Sequence, residues 1–189
     1  MRNKLILASN SPRRKELLKA YDFNFEVMVS NFEEKSLNLS PEQTVKLNAE
    51  GKALDVFKTA KDQNAVVLGA DTVVELDGNI LGKPKDTAHA RETLKSLSGK
   101  THSVWTGYCI ISKEEKIVSA VQTKVTFNEL SNELIEEYIS TGKPMDKAGA
   151  YGIQDGGLVE KIEGSYSNVV GLPIELCKEI VARLGDLLL

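Results

Sequence analysis

One aspartate stands where α/β proteins commonly bind ligands. Asp71 directly follows the apolar run AVVLGA at 65–70, which predicts a central strand buried on both faces. We therefore place Asp71 at the carboxyl end of that strand, where a carboxylate can bind a hard cation or accept a proton from water. A hairpin predicted at Asp77-Gly78 would fold Lys83 back towards Asp71. The ordinary alternative is a turn aspartate and a surface lysine.

A second candidate segment, SNSPRR at 9–14, is predicted to run from the end of the first strand into a helix. Ser11 suits the N-cap and Pro12 the first helical position. The free N–H groups of a helix N-terminus attract anions, and paired arginines suit bidentate recognition of phosphate. Because cations at this end oppose the helix dipole, Arg13 and Arg14 indicate phosphate binding by this segment, with Ser9 beside them. The alternative is a solvated basic helix face.

The glycine-containing segment DKAGAYGIQ at 146–154 is a third candidate. Small residues let the backbone approach a ligand closely. Lys147 is long enough to reach a phosphate, and Gln154 carries both a donor and an acceptor for the edge of a base. Spacing alone leaves an ordinary flexible glycine loop as the alternative.

Charged residues outside these segments give weaker signals. Glu33 or Glu34, in the segment FEEK after the second predicted strand, is a candidate second metal ligand beside Asp71. A charged surface turn is the simpler interpretation of these glutamates. Lys52 lies on or beside the apolar stripe of a long predicted helix, where most lysines only extend their charge to solvent.

Several common kinds of site are absent from the sequence. There is no GxxxxGK[ST] phosphate loop, no GxGxxG dinucleotide motif and no GxSxG nucleophile motif. His89 and His102 are far apart and lack the spacing of zinc ligands. Oxygen ligands and few histidines favour magnesium or manganese for a metal site at Asp71.

The elements that must position these residues alternate in type, which predicts an α/β protein. Strand-like runs fall at 4–8, 25–29, 65–70 and 158–162, and helices over about 12–20, 41–59, 87–97, 132–140 and 173–183. Ser40 and Gln43 form a capping box at the second helix. Long antiparallel-looking strands at 102–112 and 116–127 imply a mixed sheet with flanking helices. No linker divides the chain, so we expect one domain over residues 1–189.

Composition argues against several classes of protein. The 189 residues are 41% hydrophobic and 27% charged, which is ordinary for a globular protein, and the formal net charge is −3. An acidic chain without a basic stripe argues against nucleic-acid binding and against attachment to an anionic membrane. No apolar run suits a membrane span or a signal peptide, so we expect a cytoplasmic protein. Cys109 and Cys177 are expected to be buried free thiols.

Seven motifs, taken in order along the chain, resemble those of the Maf family. They are SNSPRRKELL at 9–18, FEEK at 32–35, GADTVV at 69–74, GKP at 82–84, LSGKTHSVWTG at 97–107, DKAGAYGIQ at 146–154 and GSYSNVVGLP at 164–173. Any one motif is weak, but seven in order are specific. The resemblance implies an inosine-triphosphatase-like fold, with an elongated mixed sheet and two lobes around a cleft. It also implies nucleoside triphosphate pyrophosphatase activity.

The same resemblance implies roles for individual residues. Asp71 would be the catalytic base, and Glu33 would hold a divalent cation, Mg²⁺ or Mn²⁺, together with Asp71. In the subfamily resembling dTTP/UTP pyrophosphatases, the specificity positions match Arg13, Thr72 and Gln154. Hydrolysis between the α- and β-phosphates would release the nucleoside monophosphate and pyrophosphate. The residues implied to bind the phosphates are Ser9, Arg13, Arg14, Lys52, Lys83 and Lys147.

The pyrophosphatase activity would serve housecleaning of nucleotide pools. A second class of function stays open beside it. The family takes its name from an effect on septum formation, so the chain could be a non-catalytic, nucleotide-sensing regulator of cell division. The presence of Asp71, Lys83 and Glu33 favours the enzyme, because a pure binding protein need not keep the base. The expected partner is a small nucleotide, with no nucleic acid and no membrane. A homodimer is implied by the resemblance only.

Overall fold

The computed structural model describes residues 4–35, 39–62 and 64–185. Its strands are β1 (Leu5–Leu7), β2 (Phe25–Val27), β3 (Val66–Leu76), β4 (Asn79–Leu81), β5 (Thr101–Ile111), β6 (Lys116–Phe127) and β7 (Val159–Glu163). Its α-helices are α1 (Pro12–Ala20), α2 (Pro41–Thr59), α3 (Thr87–Leu97), α4 (Asn132–Ser140), α5 (Tyr166–Val170) and α6 (Ile174–Gly185). Short 3₁₀ turns occupy Lys143–Asp146, Ala148–Ala150 and Ile153–Asp155. The predicted domain limits, residues 1 and 189, lie outside the described residues.

The strands form one mixed sheet in the order β2-β1-β3-β5-β6-β7, with β4 paired to β3. Strand β1 is parallel to β2 and to β3, whereas β4 is antiparallel to β3 and β7 is antiparallel to β6. This confirms the predicted α/β class with a mixed sheet and flanking helices. The turn at Asp77-Gly78 also forms as predicted, with positive φ at both residues.

The chain divides into two compact units. Unit 1 comprises Met1–Asp71, Thr106–Val121 and Gly171–Leu189, and unit 2 comprises Thr72–Trp105 and Gln122–Val170. This division agrees with the two lobes that the resemblance implies. The cleft expected with those lobes stays a prediction.

Unit 1 has an apolar core on each face of its central strand. Leu68 of β3 belongs to a buried cluster with Leu18 of α1 and Cys177 of α6, whereas the preceding Val67 belongs to a second cluster with Ala53 of α2. Successive residues of a strand point to opposite faces. The prediction that this strand is buried on both faces is therefore confirmed.

The first helices of unit 1 begin differently from each other. At α2 the predicted capping box forms, because the Ser40 side chain accepts from the Gln43 N–H at 3.2 Å and the Gln43 side chain accepts from the Ser40 N–H. At α1, Ser11 occupies the N-cap and Pro12 the first position, but the Ser11 side chain makes no capping bond. Instead, the Ser11 N–H donates to Ser9 Oγ at 3.2 Å.

Two glycines let helix α2 approach the backbone of the sheet. A Cβ on Gly69 of β3 would lie 2.5 Å from the Ala49 carbonyl oxygen, and one on Gly107 of β5 would collide with the Val45 carbonyl group. Only glycine leaves room for such contact between main chains. Gly69 and Gly107 therefore set the distance between helix α2 and the strands β3 and β5.

The core of unit 2 contains three aromatic side chains that meet edge to face. His102, Phe127 and Tyr151 have ring centroids 4.7–5.3 Å apart. His102 is buried, and its Nε2 lies 2.8 Å from the Tyr151 hydroxyl oxygen. Burial lowers the pKa of His102 to about 4, so the ring is neutral at pH 7. Leu94 of α3 and Ile135 of α4 pack in the same core.

Cys109 and Cys177 are buried free thiols, as predicted. Among the residues that the structure describes, none of the helices has the length and apolar character that crossing a membrane requires.

Candidate active site

Asp71 is a buried carboxylate whose two oxygens both accept hydrogen bonds from helix α2. Its Oδ1 accepts from Lys52 Nζ at 2.8 Å, and its Oδ2 accepts from Asn48 Nδ2 at 3.1 Å. Asp71 is only 6% exposed, so water screens this ion pair weakly. Asn48 and Lys52 lie four residues apart and therefore share one side of the helix. Together they fix the orientation of the Asp71 side chain.

The position of Asp71 in its strand differs from the prediction. The strand was expected to end at Ala70, but β3 continues to Leu76, so Asp71 lies within it. The extension exists because Val74–Leu76 pairs with Asn79–Leu81 of β4 across the hairpin. Asp71 is also the last residue of this segment of unit 1, and Thr72 is the first residue of unit 2.

The Lys52 ammonium group lies among three oxygen atoms. Besides Asp71 Oδ1, its Nζ contacts Glu34 Oε1 at 2.6 Å and the Ala70 carbonyl oxygen at 3.4 Å. The structure thus brings Glu34 towards Asp71 through Lys52. Glu33 is exposed and forms no ion pair with the described part of the chain. Its role as a metal ligand stays a prediction.

The oxygen atoms around Lys52 are of the kind that a hard divalent cation takes. Carboxylates and a main-chain carbonyl are ligands that Mg²⁺ and Mn²⁺ prefer. Within residues 4–35, 39–62 and 64–185, no group of three or more His, Cys, Asp and Glu side chains could hold a metal. A cation here would therefore complete its shell with carbonyl, water or phosphate oxygens. The donor chemistry fits, with Asp71 and a glutamate of the FEEK segment as the protein carboxylates.

Asn48 also holds the segment that carries these glutamates. Its Oδ1 accepts from the Lys35 N–H at 2.9 Å, and its Nδ2 lies 3.4 Å from the Lys35 carbonyl oxygen. Asn48 is 3% exposed and was not selected from the sequence. The available signal was a polar residue next to Ala49 on the apolar stripe of α2, four residues before Lys52.

Arg14 is a buried cation in the first turn of α1. Its Nε donates to the Gly171 carbonyl oxygen at 2.8 Å, and its Nη1 donates to Ser9 Oγ at 3.1 Å. Burial lowers the pKa of Arg14, while the negative charges of Asp71 and Glu34 act in the opposite direction. A guanidinium group, which stays protonated in proteins, is thus fixed within the electrostatic reach of Asp71.

Six of the predicted site residues therefore belong to unit 1. Lys52 contacts Asp71, and Arg14 contacts Ser9. Arg13 is half-buried, and its positive charge lowers the pKa of the neighbouring Arg14 further. The members of this group are Ser9, Arg13, Arg14, Glu33, Lys52 and Asp71. Unit 1 thus combines a held carboxylate with several cations, which suits a phosphate ester next to a general base.

The four other predicted residues, Thr72, Lys83, Lys147 and Gln154, belong to unit 2. Lys147 is mostly buried, and its Nζ donates to Asp146 Oδ1 at 2.8 Å. Lys83 and Gln154 are exposed, and Lys83 forms no ion pair among the residues described.

One main-chain bond joins the segments that carry two of these lysines. The Gly149 N–H donates to the Gly82 carbonyl oxygen at 3.1 Å. Gly82 precedes Lys83, and Gly149 follows Lys147 by two residues. Gly149 has φ of 68° and its Cβ would contact Val74, so both its conformation and its packing favour glycine. Unit 2 therefore brings the Lys83 and Lys147 segments together.

Comparison with known proteins places the chain among related sequences. The family model described as Maf-like protein matches residues 4–184. The chain is 48% identical over 196 residues to a dTTP/UTP pyrophosphatase of Dictyoglomus thermophilum, covering 100% of both chains. It is 54% identical to a dTTP/UTP pyrophosphatase of Pyrococcus furiosus, covering 90% of each. A more distant likeness, with 16% identity and a TM-score of 0.43, is to a solved nucleoside-triphosphatase / dITP/XTP pyrophosphatase from Mycobacterium abscessus, covering 67% of this chain and 75% of that one. With its whole described length matched in this way, the chain belongs to the Maf family.

Proposed function

We propose that this chain hydrolyses dTTP and UTP to the nucleoside monophosphate and pyrophosphate. The observation that carries the proposal is the buried Asp71 carboxylate, held by Asn48 and Lys52, in a chain whose relatives are named dTTP/UTP pyrophosphatase. A carboxylate oriented in this way can position a water molecule and accept its proton. Those names do not favour the alternative, a non-catalytic regulator of septum formation.

In the proposed reaction, water attacks the α-phosphorus in line with the bond to the β-phosphate. The water oxygen forms a new bond to phosphorus while the bond from phosphorus to the bridging oxygen breaks, and that electron pair leaves with pyrophosphate. Asp71 accepts the proton of the attacking water. Phosphoryl chemistry depends chiefly on position and charge neutralisation, which fits one held carboxylate among several cations.

We assign the other residues by their chemistry and by the family resemblance. The phosphates are bound by Ser9, Arg13, Arg14, Lys52, Lys83 and Lys147, and the base is recognised by Arg13, Thr72 and Gln154. A divalent cation, Mg²⁺ or Mn²⁺, held by Asp71 and by Glu33 or Glu34 would lower the pKa of the attacking water. We further propose that the protein acts on the nucleotide pool of the cytoplasm and forms a homodimer. The first of these rests on the sequence composition and the second on the resemblance.

Isotope labelling tests the bond that is cleaved. UTP is hydrolysed in H₂¹⁸O with Mg²⁺, and the products are examined by phosphorus NMR. Attack at the α-phosphorus places ¹⁸O in UMP and leaves pyrophosphate unlabelled. Orthophosphate together with UDP would show attack at the γ-phosphorus and would contradict the proposal.

The variant Asp71→Asn tests the proposed base. It keeps the side-chain shape but removes the proton acceptor, so we expect kcat to fall by at least about 100-fold. Binding of UTP should persist, since one negative charge is removed. The matched control is Asp62→Asn, because Asp62 is an exposed turn residue. A kcat close to wild type in Asp71→Asn would remove this residue from the mechanism.

A further inference from the structure

The chain segment that carries Glu33 and Glu34 lies along one face of helix α2. We call residues 30–35 the acidic segment, and its partners on the helix are Asn48, Gly51, Lys52 and Asp55. These partners follow the spacing i, i+3, i+4 and i+7, so they form a single stripe on the helix surface. The segment and the helix run in opposite directions, because residue 30 meets residue 55 and residue 35 meets residue 48.

One end of the acidic segment is fixed by Asp55. Its Oδ2 accepts from Ser30 Oγ at 2.8 Å and from the Asn31 N–H at 2.7 Å. The Ser30 hydroxyl oxygen in turn accepts from the Phe32 N–H at 2.9 Å. The hydrogen bonds from Ser30 and from the Asn31 N–H lower the pKa of Asp55, so its carboxylate is ionised at neutral pH. Because hydrogen bonds to an ionised acceptor are stronger than those between neutral groups, Asp55 is a strong anchor.

The middle of the acidic segment packs on bare helix main chain at Gly51. A Cβ on Gly51 would lie 2.3 Å from Phe32 Cζ, so the aromatic ring occupies the space that any other side chain would fill. The Phe32 side chain is half-buried there. Glycine lowers the stability of a helix interior relative to alanine, so its presence in the middle of α2 fits a contact that needs this room.

The other end of the segment meets the helix residues that also bind the Asp71 carboxylate. The Lys35 N–H donates to Asn48 Oδ1 at 2.9 Å, and Glu34 Oε1 accepts from Lys52 Nζ at 2.6 Å. Asn48 and Lys52 each donate to an oxygen of Asp71 as well. The same two helix side chains therefore set the positions of the acidic segment and of Asp71.

The acidic segment has little slack between its two ends. From Asp55 to Asn48 the helix rises by about 10 Å. The main chain from residue 31 to residue 35 reaches at most about 14 Å when it is fully extended. Glu33 lies between the fixed points, so its main chain is held although its side chain is exposed. A shift at the Asp55 end would therefore move the glutamates.

We propose that Asp55 and Gly51 are positioning residues for the divalent cation, because they hold the acidic segment on α2 where its glutamates can share that cation with Asp71. In this role neither residue touches the cation or the nucleotide, and each acts through the segment. Residues that orient metal ligands from the outer shell change metal affinity about 10- to 100-fold when they are replaced. The inference rests on the proposed function, which assigns a cation to these carboxylates.

Mn²⁺ binding to the nucleotide-free protein tests the role of Asp55 without any turnover. Free Mn²⁺ is measured by electron paramagnetic resonance during a titration. In Asp55→Ala the two donors lose their acceptor, and we expect the Kd for Mn²⁺ to rise about tenfold. Asp55→Asn removes the same charge but keeps an oxygen acceptor, so it should recover most of the affinity. The control Asp62→Ala removes an exposed carboxylate that bonds to the Asn64 N–H, and it should match the wild type.

A second variant adds a methyl group at Gly51. Gly51→Ala favours the helix but must displace the Phe32 ring, so Mn²⁺ binding should weaken about tenfold while α2 stays folded. In a Phe32→Ala background the ring that the methyl group would meet is gone, and Gly51→Ala should cost no further affinity. Hydrogen–deuterium exchange observes the segment itself, and exchange at 31–35 should be faster in both Asp55→Ala and Gly51→Ala.

Faster exchange in Asp55→Ala with unchanged Mn²⁺ affinity would overturn the inference, because the segment would then be held for packing alone. A wild type that binds no Mn²⁺ would overturn it as well. The proposed function can fail separately. If the wild type releases no pyrophosphate from UTP while Mn²⁺ binding depends on Asp55, the pyrophosphatase proposal fails and the positioning role stands. If UTP is cleaved to UMP and pyrophosphate but Mn²⁺ binding ignores Asp55, the positioning role fails alone.

Discussion

At the scale of single residues, the two donors that hold Asp71 differ in kind. Lys52 shares its charge between Asp71 and Glu34, so it serves two carboxylates at once. Asn48 is neutral, and it joins Asp71 to the main chain of Lys35. Because the orientation of Asp71 depends on both donors, the uncharged one can be removed without changing the charge of the site.

Asn48→Ala should therefore impair the reaction more than it impairs substrate binding. The change leaves Asp71 Oδ2 without its protein donor, and a buried group left unsatisfied costs about 1–3 kcal/mol. We expect kcat for UTP to fall about tenfold, equivalent to about 1.4 kcal/mol, with KM little changed. Steady-state kinetics with UTP and Mg²⁺ measure both parameters.

The control for Asn48→Ala is the same substitution at Asn79, an exposed residue of β4. Asn79→Ala should match the wild type in kcat and KM. If Asn48→Ala lowers only the free energy of unfolding and leaves kcat intact, Asn48 is a packing residue and does not position Asp71.

At the scale of elements, helix α4 holds the turn that carries Gln154. The Tyr138 hydroxyl donates to Asp155 Oδ2 at 2.6 Å and accepts from the Gly152 N–H at 3.0 Å. Burial and the hydrogen bond to Asp155 raise the pKa of Tyr138, so its hydroxyl remains a donor at neutral pH. One phenol thus connects both ends of the turn Ile153–Asp155 to α4.

Tyr138→Phe should release this turn while preserving the packing of the ring. Loss of the hydroxyl removes about 1–1.5 kcal/mol of hydrogen bonding, so we expect amide exchange at 152–155 to accelerate about tenfold. The KM for UTP should rise, because Gln154 is then less well ordered. Hydrogen–deuterium exchange with mass spectrometry measures the first effect.

Tyr108→Phe provides a comparison in unit 1, where the Tyr108 hydroxyl interacts with Ser119. It should leave exchange at 152–155 unchanged. Equal exchange in Tyr138→Phe and wild type would show that the turn is held by other contacts.

The features that the sequence predicted correctly are those that depend on residues close together in the chain. The Ser40 capping box and the Asp77-Gly78 hairpin depend on neighbours along the chain, and both form. The length of β3 depends on its pairing with β4, and the prediction ended it too early at Ala70. The Asn48 and Asp71 contact joins residues 23 apart and is set by how α2 packs, which no local pattern records.

At the scale of the whole molecule, one buried histidine makes stability depend on pH. The pKa of His102 is lowered by burial from 6.5 to about 4, so the folded protein resists its protonation. Well above pH 6.5 this histidine is neutral in both the folded and the unfolded state. As the pH falls from 6.5 towards 4, the unfolded chain binds a proton that the folded chain does not, and stability is lost.

His102→Gln should flatten this dependence. For the wild type, His102 lowers the free energy of unfolding by up to about 1.4 kcal/mol per pH unit in that window. Urea unfolding at pH 7.5, 6.0 and 5.0 gives the free energy of unfolding of both proteins as a function of pH. Subtracting the two pH slopes removes the contributions of carboxylates, which the two proteins share. Parallel curves for wild type and His102→Gln would contradict this origin of acid sensitivity.

The glycine contacts under α2 also limit how this protein can be engineered for heat resistance. Replacing glycine by alanine is a common thermostabilising strategy, because it reduces the freedom of the unfolded chain by about 0.4–1 kcal/mol. At Gly69 the added methyl group would meet the main chain of α2 and lift the helix from β3. The donors on that helix would then move away from Asp71, although none of them had been altered. A stabilisation programme should therefore treat Gly69 and Gly107 as part of the candidate active site, even though neither has a side chain to contribute.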